Sequence, residues 1–253
     1  MEFDFKLVDG IILLSGSLNS CYGYFAFDTG SVVTAINLKY CEVTDKQDRE
    51  VTIYDGQLET KKIYEGKVAS LQVGNLKFNN HHVLNLDLSY VADSLYTENI
   101  PFLGTIGMDI IAKYYLKIDY RNQKITFLEK SCEVDPTAIP FESTKGLIMT
   151  SIEINKNSYP VILDTGANRN LLLPDVLQKI NSKVDIPADL GVKKFFVDVE
   201  FLNYKYNGMC FKEATATSHF KNLDCLGLIG YEFFKNKVLV IDFFTKTLFF
   251  EQY

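Results

Sequence analysis

Two segments of this chain repeat one another at a fixed spacing, and a tandem repeat of this size limits the fold more than any local propensity does. GIILLSGSLNSCYGYFAFDTGS starts at Gly10 and reaches Asp28 eighteen residues later. GLIMTSIEINKNSYPVILDTGAN starts at Gly146 and reaches Asp164 after the same eighteen. Phe5 and Phe141 align at the same offset just upstream. A second pair follows, FLGTIGMDIIAKYYLKIDYRNQKITFLE and CLGLIGYEFFKNKVLVIDFFTKTLFFE, in which Gly107 precedes Asp119 by twelve residues and Gly230 precedes Asp242 by twelve. Between the blocks the halves differ: 79 residues separate Asp28 from Gly107 and 66 separate Asp164 from Gly230. The 13 extra residues of the first half belong in loops or hairpins.

The repeat divides the chain into an N-terminal lobe over 1–130, a connector over 131–140 that carries Pro136 and Pro140, and a C-terminal lobe over 141–253. Each lobe has an ordinary domain length. Local patterning is strand-like almost everywhere: Tyr24–Phe27, Val68–Val73, Leu116–Tyr120, Ile125–Leu128, Lys194–Phe201, Val238–Phe244 and Thr247–Phe250 are short and rich in β-branched or aromatic residues. Turns are expected at Val73-Gly74-Asn75-Leu76 and at Tyr54-Asp55-Gly56. Short helices are expected at Met108–Tyr114 and Glu232–Lys235, each directly after the glycine of the second block. A third is expected at Pro174–Ile180, with proline at the first helical position. The fold class is therefore mainly β.

Composition removes several functions. A net charge of −6 without a Lys or Arg block argues against nucleic acid or an anionic membrane as the main partner. The longest apolar runs have five or six residues, as at Phe102–Ile106, against the roughly 20 that a spanning helix needs. The acidic MEFDFKLVDG start lacks the basic region of a signal peptide, which favours a cytoplasmic location. Five cysteines, an odd number without close pairing, read as buried reduced thiols, and His81, His82 and His219 read as surface or hydrogen-bonded histidines rather than metal ligands. No metal or cofactor is called for.

Each half ends an apolar strand in Asp-Thr-Gly: Ala26-Phe27-Asp28-Thr29-Gly30 and Ile162-Leu163-Asp164-Thr165-Gly166. One such tripeptide is an ordinary turn. Two at equivalent points of a repeat would meet if the halves pack about a pseudo-twofold axis. Carboxyls about 3 Å apart cannot both ionise near neutrality, so they share a proton and supply an acid and a base at one place. Asp119 and Asp242 lie within strand-like runs and read as structural. No G-x-S-x-G element is present. A glycosidase would hold its carboxyls about 5 to 9.5 Å apart and needs no twofold repeat.

The paired Asp-Thr-Gly-(Ser/Ala) elements, followed by Thr105-Ile106-Gly107 and Leu228-Ile229-Gly230 and then by Ile-Asp, resemble those of the aspartic peptidases. Each half is similar to a retropepsin-type unit, and the two in tandem to a fused dimer or a small pepsin-like bilobal enzyme. The resemblance implies two β-barrel lobes about a pseudo-twofold axis and an aspartic endopeptidase acting on a peptide or protein substrate. It also implies a monomer, since one chain supplies both halves. Asp28 and Asp164 would be the catalytic pair, Thr29 and Thr165 the scaffold beneath them, and Gly30 and Gly166 the backbone lining of the cleft. Gly107 and Gly230 would lie where a later strand crosses close to the active-site loop. Ser31 follows the first motif and Ala167 the second, so a Ser31 hydroxyl bond to the carboxylate would make Asp28 the more acidic member and give an optimum less acidic than pepsin's. Val51–Gln57 resembles a flap hairpin, with Tyr54 and Gly56 as candidate flap residues. The shorter second half shows no Gly-tipped hairpin there, so one working flap is expected. The rival reading is a catalytically silent bilobal peptide-binding module of the same fold.

Overall fold

The computed structural model describes residues 1–54, 58–89, 91, 100–132, 135–180, 183–185, 193–215 and 217–251. Its first half contributes strands β1 (Glu2–Asp4), β2 (Lys6–Val8), β3 (Ile11–Leu18), β4 (Cys21–Phe27), β5 (Ala35–Asn37), β6 (Thr44–Tyr54), β7 (Leu58–Val73), β8 (Leu76–Leu86), β9 (Phe102–Ile106), β10 (Tyr115–Asp119) and β11 (Lys124–Leu128). The second contributes β12 (Ile139–Pro140), β13 (Glu142–Thr144), β14 (Leu147–Ile154), β15 (Asn157–Leu163), β16 (Leu171–Leu172), β17 (Lys183–Asp185), β18 (Lys194–Phe201), β19 (Tyr204–Glu213), β20 (Gly227–Ile229), β21 (Val238–Asp242) and β22 (Thr247–Glu251). Helices are short: α1 (Met108–Ile111), α2 (Pro174–Lys179), α3 (Thr217–Asn222) and α4 (Tyr231–Phe234).

Each half forms an eight-stranded sheet in the same order, β2-β3-β4-β9-β5-β8-β7-β6 and β13-β14-β15-β20-β16-β19-β18-β17. The first sheet closes on itself through β3–β7 and the second through β14–β18. A six-stranded sheet, β1-β11-β10-β21-β22-β12, joins them. At its centre β10 and β21 run antiparallel, with Lys117 opposite Val240. Those two residues are counterparts in the repeat, because Asp119 and Asp242 define the same offset. A strand pairing with its own equivalent is what a twofold axis through the sheet requires.

Local chemistry explains the element ends. The repeat opens on paired hairpin turns, Asp9-Gly10 and Lys145-Gly146, with φ of 45° and 83° in the first and 51° and 84° in the second. Positive φ at both central residues gives the turn whose twist matches the strands it joins. β14, Leu147-Ile-Met-Thr-Ser-Ile-Glu-Ile154, turns Ile148, Ile152 and Ile154 into the core and leaves Ser151 and Glu153 in solvent. Glycine turns the chain between β7 and β8 at Gly74-Asn75, as the sequence indicates.

The helix after Gly107 stops at Ile111 rather than Tyr114, and α3 was not anticipated. Residues 186–192 lie outside the described residues, and the second half's counterpart of the β6–β7 pairing is β17 with β18, antiparallel. It is short where β6 and β7 are long, so part of the extra length of the first half lies in that hairpin. All five cysteines are free, but only Cys41 and Cys225 are buried and Cys132 is exposed. No helix among the described residues is long and apolar enough to cross a membrane.

Tyr120, just after β10, is packed between the halves. Its ring stands edge-on to Phe5 and stacks on Phe234 at 5.7 Å. Its repeat counterpart, Phe243, packs edge-on against Phe141 in the same way. The Tyr120 hydroxyl is buried without a hydrogen-bond partner. An unpaired buried hydroxyl costs more than it contributes. Tyr120→Phe is therefore expected to stabilise the fold by about 1 kcal/mol in urea denaturation, and a less stable variant would show that the hydroxyl makes a bond the packing depends on.

Candidate active site

Asp28 follows β4 and Asp164 follows β15. In each sheet the strand entering the Asp loop and the short strand leaving it flank a third: β9 is parallel to β4 and antiparallel to β5, and β20 is parallel to β15 and antiparallel to β16. The crossing strand fixes the base of the loop, since Asp28 N–H donates to Ile106 O at 3.1 Å and Asp164 N–H to Ile229 O at 2.9 Å. Just beyond, Met108 N–H donates to Ser31 O and Tyr231 N–H to Ala167 O, both at 2.8 Å. These contacts explain Gly107 and Gly230. A Cβ on Gly107 would lie 2.7 Å from the Val33 carbonyl carbon, and one on Gly230 would lie 2.5 Å from the carbonyl oxygens of Ala167 and Arg169. Both glycines have ordinary extended backbone, so they are needed for closeness and not for an unusual φ.

The two loops are tied to each other by their threonines. Thr29 N–H donates to Thr165 Oγ1 and Thr165 N–H to Thr29 Oγ1, each at 3.0 Å. The hydroxyls pass the bond on, Thr29 to Leu163 O at 2.8 Å and Thr165 to Phe27 O at 3.0 Å. Both threonines are fully buried. Valine would fill the same volume but leave buried groups in both loops unpaired.

Above this crossing the carboxyls meet. Gly30 N–H donates to Asp28 Oδ1 at 2.7 Å and Gly166 N–H to Asp164 Oδ1 at 2.8 Å, turning each carboxyl inward. Each glycine also faces the opposite aspartate: a Cβ on Gly30 would lie 2.6 Å from Asp164 Cγ, and one on Gly166 would lie closer still to Asp28. The two carboxyls stand side by side, each against the other loop's glycine. Loss of hydration raises the pKa of both. Asp164 goes well above the usual carboxylate range, pushed further by the negative charge of the neighbouring Asp28. Asp28 is raised too, with the Gly30 N–H bond to its carboxyl working against the burial. Burial and the repulsion between the two carboxylates thus favour a single proton held by the pair.

The cause expected for a more acidic Asp28 is absent. The Ser31 hydroxyl donates to Val33 O at 3.0 Å instead of to Asp28, because it is turned back along its own loop. Ser31 and Ala167 act on the carboxyls through their N–H groups, which they share alike.

Tyr54 ends β6 opposite Leu58, so the strands of the expected flap hairpin are present; Gly56, with residues 55 and 57, lies outside the described residues. Asp119 and Asp242 cap turns, accepting N–H bonds from Arg121 and Asn122 and from Phe244 and Thr245. Among the described residues no His, Cys, Asp and Glu cluster is arranged to hold a metal. Sequence reasoning missed Thr34 and Asn170, both buried. Each stands six residues after its aspartate and accepts the N–H of Gly107 or Gly230. Their equal offset was the available signal, hidden by the difference in residue type.

No protein-family model matches the sequence, and no curated protein matches it. Among solved structures, the fold is similar to that of an aspartic proteinase from Irpex lacteus, with a TM-score of 0.60 at 12% identity, covering 98% of this chain and 96% of that one. The chain has a pepsin-like, bilobal, mainly β fold.

A raised carboxyl pKa binds a proton in the folded state that the unfolded chain has released. Its contribution to stability is complete below the ordinary carboxyl pKa of about 4 and is lost as pH rises through the folded value. Thermal melts of the wild type should therefore fall in midpoint between pH 4 and 8, and Asp164→Asn should flatten that slope and melt higher than the wild type at pH 7. Equal slopes in the two proteins would contradict the raised pKa.

Proposed function

We propose that the chain is an aspartic endopeptidase that hydrolyses peptide bonds with a water activated between Asp28 and Asp164. The observation that carries this reading is the carboxyl pair itself: two buried aspartates, each beside the other loop's glycine, at the end of a shared scaffold. Similarity of fold to an aspartic proteinase supports it.

In this reading charged Asp28 takes a proton from water as its oxygen attacks the scissile carbonyl carbon. Protonated Asp164 gives its proton to the carbonyl oxygen, so the tetrahedral intermediate carries no net added charge. The proton held by Asp28 then goes to the leaving nitrogen, the C–N bond breaks, and the proton returned from the intermediate restores Asp164. The scaffold supplies orientation, because four threonine bonds and the two glycine N–H groups hold the carboxyls before substrate arrives. The substrate lies extended, bonded along its backbone as an added strand, under the β6–β7 hairpin. Both lobes come from one chain, so the monomer is the active unit.

The test is cleavage of a diverse peptide mixture from pH 3 to 7, with and without a statine-containing peptide as inhibitor. Wild type should cut and be inhibited, and Asp28→Asn and Asp164→Asn should each lose about 10²-fold to 10⁴-fold in rate, the usual worth of a positioned acid or base. A wild type that binds the statine peptide and cuts nothing would make the chain a peptide-binding module, and a variant as active as wild type would remove that carboxyl from the chemistry.

A further inference from the structure

The braces behind the two aspartate loops differ in chemistry although they occupy equivalent places. In the second half the Asn170 amide does the work: Oδ1 accepts Gly230 N–H at 3.0 Å and Nδ2 donates to Cys210 O at 3.0 Å. No charge is involved. In the first half Thr34 stands at that place, and its hydroxyl accepts Gly107 N–H at 3.2 Å while donating to Asp109 Oδ1 at 2.7 Å. Asp109 Oδ1 also accepts Thr34 N–H at 2.8 Å, and Asp109 N–H donates to Val32 O at 3.2 Å. One residue thus clasps the Asp28 loop at two points. The other carboxylate oxygen, Oδ2, faces His81 Nε2 at 2.9 Å.

We propose that His81 is a positioning residue for Asp28, acting through Asp109 and Thr34, so that the charge on its imidazole tightens or loosens the first catalytic loop and leaves the second unaffected. This rests on the peptidase reading for its effect on rate, though not for its effect on the loop. The contact is sheltered: the side chains of His81 and Asp109 are 15% and 24% exposed. Burial works to raise Asp109, yet bonds from His81 and from the hydroxyl and N–H of Thr34 outweigh it and hold the carboxylate below its usual range. Around the pair, the Phe78 ring packs on His81 and carries Lys113 above it at 5.9 Å. The adjacent His82 contacts Glu65 at 3.5 Å, and Lys67 on β7 pairs with Asp45. Asp109 is therefore the carboxylate in hydrogen-bond contact with the His81 ring. In the second half the counterpart of Asp109 is Glu232, which lies against the Cys210 thiol and, after burial, helps push it up to about 11.

Imidazoles change charge between about pH 5 and 8. A protonated ring makes a charge-assisted bond to Asp109, stronger than the neutral ring's, so the brace is tighter on the acid side. The experiment follows kcat and KM from pH 3 to 8 for wild type, His81→Gln, His81→Leu and Asp109→Asn, with carbon NMR of the Asp28 and Asp164 carboxyls in the same proteins. Besides the titration of the aspartate pair itself, wild type should show a component in kcat and in the Asp28 resonance that moves together with the ring resonances of His81, and that component should vanish in His81→Gln. His81→Leu should lower kcat about tenfold with little change in KM. Asp109→Asn, which keeps an acceptor for Thr34, should also lose that component if His81→Leu fails to fold. An Asp28 titration identical in wild type and His81→Gln overturns the proposal. A wild type without turnover that still shows the coupled NMR component sinks the peptidase reading and upholds the brace.

Discussion

Everything at the candidate site depends on two loops completing each other's hydrogen bonds. Thr29 and Thr165 exchange N–H and hydroxyl across the interface and then reach the strand of the opposite half, Leu163 and Phe27. Neither loop can satisfy these buried groups alone. Each such bond is worth about 1 kcal/mol net, but an unmet buried group costs more, so the crossing is close to all-or-none. That is what offsets the cost of pressing two carboxyls together in a partly dehydrated place. The conflict between the charges is then resolved by a shared proton instead of by separation.

The six-stranded sheet makes this crossing geometrically unavoidable. β10 and β21 pair about the counterpart residues Lys117 and Val240, so the axis relating the halves is fixed by a strand ladder as well as by the loops. A one-residue slip in that ladder would reverse the faces of buried Leu116, Ile118, Leu239 and Ile241. Register in the sheet and register between the aspartates are one constraint expressed at two places.

The sequence made the repeated parts legible and the diverged parts obscure. Asp28, Asp164, Thr29, Thr165, Gly107 and Gly230 recur at equal offsets in apolar surroundings, and the structure brings them together. Lys194–Phe201 is bounded as its pattern indicates, because alternation on a half-buried strand is a local signal. β6, TDKQDREVTIY, is a strand whose residues are mostly charged or polar, paired along one side of its backbone to β7, so periodicity says little about it. The Ser31 hydroxyl was misread because a side chain one residue from a carboxylate has a nearer acceptor in its own turn, Val33 O. Thr34, Asp109 and His81 lie 28 to 75 residues apart in pairs, and no local pattern links them.

Duplication within one chain gives the fold a freedom that two identical subunits lack. The scaffold that must be symmetric has stayed so: the opening hairpins at Gly10 and Gly146, the threonine exchange and the glycine contacts match in both halves. The supports around it have not. An Asp109–His81 pair stands against a neutral Asn170, a tyrosine against Phe243, and a long β6–β7 hairpin against the short β17–β18. A dyad sharing one proton has unequal members at every instant, and identical subunits leave the choice between them to chance. Unequal supports written into one sequence give each aspartate its own fixed environment, a distinction that two identical subunits cannot encode.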